Sequence, residues 1–108
     1  MDIANTAHRY PFDLSVVLPV YNEEDNIRPV HDELTGVLDG LTLRYEIIYV
    51  DDGSRDSSRQ QIIALAEAQP ETVRAVLLRR NFGQTAAIQA GIDHALSLIH
   101  ISEPTRPY

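Results

Sequence analysis

The chain has 108 residues, 44% of them hydrophobic, and its 9 Lys and Arg against 16 Asp and Glu leave a formal charge of −7. A pI near 4.8 speaks against a nucleic-acid binder, which needs a basic face to meet phosphates; the absence of cysteine excludes a disulfide framework, a thiolate nucleophile and a Cys-based zinc site. No apolar run approaches the roughly 18 residues of a membrane span and no apolar signal-peptide core is visible at the start, so the composition describes one acidic, cytosol-facing α/β-type unit with a single core.

Residues 1–12 read as a polar leader. The first apolar run, Leu14 to Leu18, is rich in β-branched residues and too continuous for a strand with one wet face, which predicts a strand of a parallel sheet. Ile27, Val30, Leu34, Val37, Leu38 and Leu41 then recur on one face of a helix, with Pro29 in its first turn and Asp39-Gly40 at its end. Glu46 to Val50 is a second strand. A second helix is expected to start between Ser54 and Ser57, which suit an N-cap, and to run to Gln69 before Pro70. Val73 to Leu78 is the third strand. The third helix opens near Gly83-Gln84 and turns Ala87, Ile88, Gly91, Ile92 and Ala95 inward.

The pattern is β-α-β-α-β-α, and right-handed crossovers make its strands parallel in the order 3-2-1. That is one half of a doubly wound sheet, with the first strand on an open edge. An apolar edge is an aggregation hazard that whole proteins cover, so the polypeptide is expected to be a piece of a longer one. The final segment LSLIHISEPTRPY departs from the pattern. Its codons can be written as the transposase adapter ligated to DNA in short-read sequencing, so residues 96–108 are expected to be an adapter-encoded tail.

In an open parallel sheet ligands bind beyond the carboxyl ends of the strands. Pro19-Val20-Tyr21-Asn22-Glu23-Glu24 follows the first strand, Asp51-Asp52-Gly53-Ser54 the second, and Arg79-Arg80-Asn81-Phe82-Gly83 the third, so all of these clusters meet on one rim. Asp51-Asp52-Gly53-Ser54 reads either as a capping turn or as an acceptor of base and ribose hydrogen bonds, Gly53 allowing the tight turn and Ser54 capping the helix. Tyr21 is either a packing residue or the wall of a nucleoside pocket, with Glu23 and Glu24 as a favourable acidic first turn. Arg79, Arg80 and Asn81 form either a solvated basic pair or a phosphate contact aided by N–H groups at the start of the third helix. His8, His31, His94 and His100 show no metal-like pairing, and His31 and His94 are expected on helix surfaces. Tyr10, Tyr45 and Tyr49 read as packing residues. No nucleophile elbow, Walker loop, HExxH or GxGxxG fingerprint is present.

LSVVLPVYNEEDNI, YEIIYVDDGSRDSS and LLRRNFGQTAAIQAGIDHA together resemble the N-terminal part of a family 2 glycosyltransferase. They are most similar to the branch that moves a sugar from a nucleotide donor to a polyprenyl phosphate, dolichyl or undecaprenyl. The resemblance covers residues 13–95. It implies a Rossmann-like glycosyltransferase A fold, of which this is the nucleotide-sugar-binding half, and a part in making a cell-envelope glycan or glycolipid. By the same resemblance Pro19, Tyr21 and Glu23 line the nucleoside pocket. Asp52, with Asp51 beside it, contacts base or ribose. Gly53 and Ser54 complete the set, and Asn81 and Gly83 lie in the loop over the nucleotide.

The family's Asp-x-Asp motif, which binds the divalent Mg or Mn, would follow a fourth strand and is not in this sequence. No metal ligand and no catalytic residue is therefore expected here, and the chain alone is expected to be inactive. The whole enzyme would act by inverting displacement at the cytoplasmic face of a membrane, although this chain carries no membrane segment or signal peptide. Its expected partners are the nucleotide-sugar donor and the polyprenyl-phosphate acceptor, with no nucleic acid; sugar, base and oligomeric state are not specified. Rival readings are a short nucleotide-binding module and a response-regulator receiver. The receiver needs its acidic pair after the first strand and an Asp ending the third, whereas Arg79-Arg80-Asn81 stands there. A nucleotidyltransferase would need a Gly-rich, Arg-containing loop after the first strand.

Overall fold

The computed structural model describes residues 12–97. Its elements run β1 (Leu14–Val20), α1 (Ile27–Asp39), β2 (Tyr45–Asp51), α2 (Ser58–Ala68), β3 (Val73–Leu77) and α3 (Gln84–Ser97). The polar leader up to residue 11 and the expected tail from residue 98 onward lie outside the described residues, while Leu96 and Ser97 continue α3.

All pairing is parallel, with Val16 beside Ile47 and Ile47 beside Val73. The strand order is β1-β2-β3, which corrects the 3-2-1 expected from the sequence. Crossover handedness sets the face on which each connecting helix packs; the order itself is given by the pairing of β1 with β2 and of β2 with β3. β2 is buried along nearly its whole length, as a strand covered on both faces must be. Ile47 and Tyr49 face α1 and α2, in a core with Ile27, Leu38, Ile62 and Leu65. Ile48 and Val50 face the other way, onto Ala87 of α3 with Val17 and Ala90 beside them. Gly91 lets α3 approach the sheet closely, since a Cβ there would stand 2.4 Å from Val17 Cγ1.

The inward face of α1 is Ile27, His31, Leu34 and Leu38, rather than the apolar set read from the sequence. Val30 and Leu41 are exposed and Val37 is 62% exposed, whereas His31 is 1% exposed and not on the surface as expected. Spacings of four, three and four make the true stripe. Excluding a polar side chain from it moved the expected stripe round the helix. Ile92 of α3 is likewise exposed rather than inward.

His31 Nδ1 lies 2.6 Å from Tyr49 Oη, which explains how the ring is tolerated inside the core. Burial pushes the imidazole pKa down, against weaker opposing effects of Gln69 and Asp32, and burial raises the Tyr49 phenol to about 12. The unfolded chain takes up the histidine proton near pH 6.5, the folded chain only at lower pH, so stability is complete above about 6.5 and falls as pH drops toward the depressed value. The melting temperature is expected to fall between about pH 7.5 and 5.5, with a shallower slope in His31→Gln. Thermal melts across that range measure it, and identical slopes in both proteins would contradict it.

Candidate functional site

The strands end level. Val20 pairs with Asp51 and Asp51 with Leu77, and the pairing runs one step further: Asp52 N–H donates to Val20 O at 2.8 Å and Leu78 N–H to Asp51 O at 2.9 Å. The loop after β1 therefore leaves the sheet beside the loop after β2, and side chains stitch them together. Ser54 Oγ accepts from Asn22 N–H at 2.9 Å, and Asn22 Oδ1 accepts from Arg55 N–H at 2.9 Å. Ser58 Oγ accepts from Glu23 N–H at 2.8 Å, while Glu24 Oε1 accepts from both the N–H and the Oγ of Ser57. Asn22 takes a left-handed φ of 52° to make this exchange, a conformation to which asparagine is well suited.

Asp52 organises the third loop. Its Oδ1 accepts from Phe82 N–H at 2.8 Å, and its Oδ2 accepts from Gly83 N–H and from Asn81 Nδ2, both at 3.0 Å. A carboxylate offers about four acceptor positions, so this one, although buried, has an acceptor position beyond the three that hold the loop. Asp52 thus engages the amides of Phe82 and Gly83 immediately before α3, where its negative charge complements the helix dipole.

Pro19, Val20, Tyr21 and Glu23 on one side face Asp52, Asn81, Gly83 and Gln84 on the other across a cavity of about 310 Å³. Pro19, Tyr21, Glu23, Asp52, Asn81 and Gly83 are thus brought together as the sequence suggested. Tyr21 is 44% exposed and serves as a wall rather than as core packing. Glu23 is held by Asn26, whose Nδ2 donates to Glu23 Oε2 at 2.7 Å.

Asp51, Gly53 and Ser54 do not line that cavity. Asp51 is fully buried, with Oδ2 accepting from Ser54 N–H at 3.2 Å and standing 3.7 Å from Arg59 Nη1. Ser54 does not cap α2 as expected. Asp56 accepts from Ser58 N–H at the helix start, and Ser54 Oγ serves the Asn22 amide instead. Gly53, at φ 76°, lies against the third loop and, with Ser54, borders a second cavity. Sequence reasoning missed Gln84 in the first cavity and Ser58 in the loop network, and it placed Val20, Asn22 and Glu24 on the rim without the cavity contact and hydrogen bonds they make. The YNEE and SRDSS runs carry the signal for the network, as polar pairs that satisfy each other across two loops. Among the described residues no group of three or more His, Cys, Asp or Glu is arranged to hold a metal ion, and no helix is long and apolar enough to cross a membrane.

Residues 15–99 match the sequence model of glycosyl transferase family 2. The chain is 48% identical over 80 residues to an undecaprenyl-phosphate 4-deoxy-4-formamido-L-arabinose transferase of Serratia proteamaculans, covering 74% of this chain and 24% of that protein. It is 45% identical over 83 residues to an uncharacterized glycosyltransferase of Synechocystis, covering 77% and 26%. The chain therefore spans about a quarter of the length of these relatives. Among solved structures, the mannosyltransferase PcManGT of Pyrobaculum calidifontis, in complex with GDP-Man and Mn2+, shares the fold with a TM-score of 0.58 and 22% identity, over 79% of this chain and 25% of that one.

Proposed function

The chain belongs to glycosyl transferase family 2, and on that premise we propose that its rim binds the nucleoside end of a nucleotide-sugar donor, within a protein that passes the sugar to a polyprenyl phosphate at the cytoplasmic face of a membrane. The observation that carries this reading is the convergence of Tyr21, Glu23, Asp52 and Asn81 around one cavity at the carboxyl end of the sheet. An exposed ring supplies a stacking face for a base, and carboxylates beside it accept from base N–H or ribose hydroxyl groups. The relatives named as undecaprenyl-phosphate transferases support the acceptor class. In the whole protein a phosphate oxygen of the acceptor would form the new bond at the anomeric carbon. The bond to the nucleoside diphosphate would break, and its electron pair would leave with that group.

The family resemblance implies a divalent metal, but the described residues do not fit one. Asp51 turns inward to Ser54 and Arg59, while Asp52 turns to the third loop, so these two neighbouring carboxylates do not converge on a shared position.

Tyr21→Ala tests the stacking wall. Nucleotide-sugar affinity is expected to fall by about 1–3 kcal/mol, the usual worth of a base on an aromatic ring, with little change in melting temperature because the side chain is exposed. Calorimetric titration with UDP- and GDP-sugars reads the affinity; equal affinities in the two proteins would remove Tyr21 from the site.

A further inference from the structure

Beyond Tyr21 and Asn81, which border both spaces, lies the second cavity, of about 320 Å³, whose other lining includes Arg55, Arg59, Arg79 and Arg80. We propose that this cavity is an anion site for a phosphate group, whether the phosphomonoester head of a lipid or a free phosphate.

The chain has only 9 basic residues against 16 acidic ones, yet four arginines border this one space and no carboxylate does. Gathering like charges costs free energy that an anion would recover. Among the described residues the guanidinium groups of Arg55 and Arg79 make no hydrogen bond or ion pair. Arg80 lies over the Phe82 ring at 4.6 Å from its centroid. Arg59 is partly used, at 3.3 Å from Leu78 O and 3.7 Å from Asp51 Oδ2, which fixes it at the cavity wall. The remaining guanidinium forks match the geometry of phosphate oxygens.

The loops that carry these arginines are pinned to each other. A Cβ on Gly53 would stand 2.5 Å from both Arg80 C and Asn81 N, so the backbone of the second loop lies directly on that of the third. Arg55 thereby faces Arg79 and Arg80 across a preformed space. Within the third loop the amides of Phe82 and Gly83 are already engaged by Asp52, so the unused donors that this loop offers a phosphate here are its arginines.

This proposal does not rest on the donor reading, and Tyr21→Ala with nucleotide sugar tests that reading separately. The full chain is titrated by calorimetry with inorganic phosphate, pyrophosphate and geranyl phosphate, alongside Arg79→Gln/Arg80→Gln and, as a control on α1, Arg28→Gln. Saturable, salt-sensitive phosphate binding is expected, weakened about tenfold or more in the double variant and unchanged in Arg28→Gln. Tighter binding of geranyl phosphate than of inorganic phosphate supports the site with a lipid head as its ligand; equal binding supports it with free phosphate. Far-UV circular dichroism checks folding. If the double variant does not fold, Arg55→Gln, which removes no side-chain hydrogen bond or ion pair, must weaken binding severalfold. No saturable binding by the full chain, or binding that these substitutions leave unaltered, overturns the proposal.

Discussion

Asp52→Ala is expected to lower the stability of the chain by about 3 kcal/mol or more and to release the loop at 81–83. The wild-type carboxylate accepts from Phe82 N–H, Gly83 N–H and Asn81 Nδ2, and hydrogen bonds to a charged group contribute about 1.5–3 kcal/mol each, short of additively within one network. Asp52 is buried, so water does not freely replace it. Against a total of about 5–15 kcal/mol for an ordinary domain, such a loss is a large fraction. Asp52→Asn should fall between the two, because its amide keeps one acceptor oxygen and presents a donor where the other oxygen stood. Urea denaturation reads the stability, and amide exchange at Phe82 and Gly83 reads the loop. An unchanged midpoint with unchanged exchange would mean that these hydrogen bonds do not hold the loop.

Gly53→Ala is expected to cost a comparable amount for a different reason. The residue has φ 76°, where an L side chain loses roughly 1–2 kcal/mol. In addition its new Cβ would meet Arg80 C and Asn81 N at 2.5 Å, backbone atoms that a rotamer change cannot move. Either the second and third loops separate or the turn changes form, and we expect a total loss of about 3 kcal/mol or more. Gly36→Ala in α1 is the reference: nothing lies within 4 Å of its added Cβ, and alanine in a helix gains up to about 1 kcal/mol over glycine. Denaturation midpoints of the two variants should therefore move in opposite directions. A Gly53→Ala protein as stable as wild type would show that the loops do not bear on each other as described.

Strand ends were the most legible part of the molecule. Continuous apolar runs mark β1, β2 and β3, and the rule that ligands sit beyond the carboxyl ends turned the residues after them into one rim, which the cavity at Tyr21, Asp52 and Asn81 occupies. Hydrogen-bond partners were much less legible, because they are chosen across loops distant in sequence. Nothing local to Ser54 says that its hydroxyl serves Asn22 rather than the helix that follows. Nothing local to Asp52 says that its oxygens are engaged by the loop after β3. His31 failed for a related reason: imidazole is expected in water until a partner is known, and Tyr49 supplies that partner from another element. Glu46 is similar at the other end of the sheet. It is buried beside Ser15, whose Oγ donates to it at 2.6 Å, in a position that strand periodicity marks only as inward.

The rim is expected to bind a nucleotide sugar through Tyr21, Asp52 and the loop that Asp52 holds. The most direct test is a map of amide chemical-shift changes in the isotope-labelled chain as UDP- and GDP-sugars are added. Saturable changes centred on Val20, Tyr21, Glu23, Asn81, Gly83 and Gln84, the residues around the first cavity, are the predicted result. No change in the folded chain at millimolar nucleotide sugar, or changes centred on the opposite end of the sheet around Ser15, Glu46 and Arg74, would contradict it.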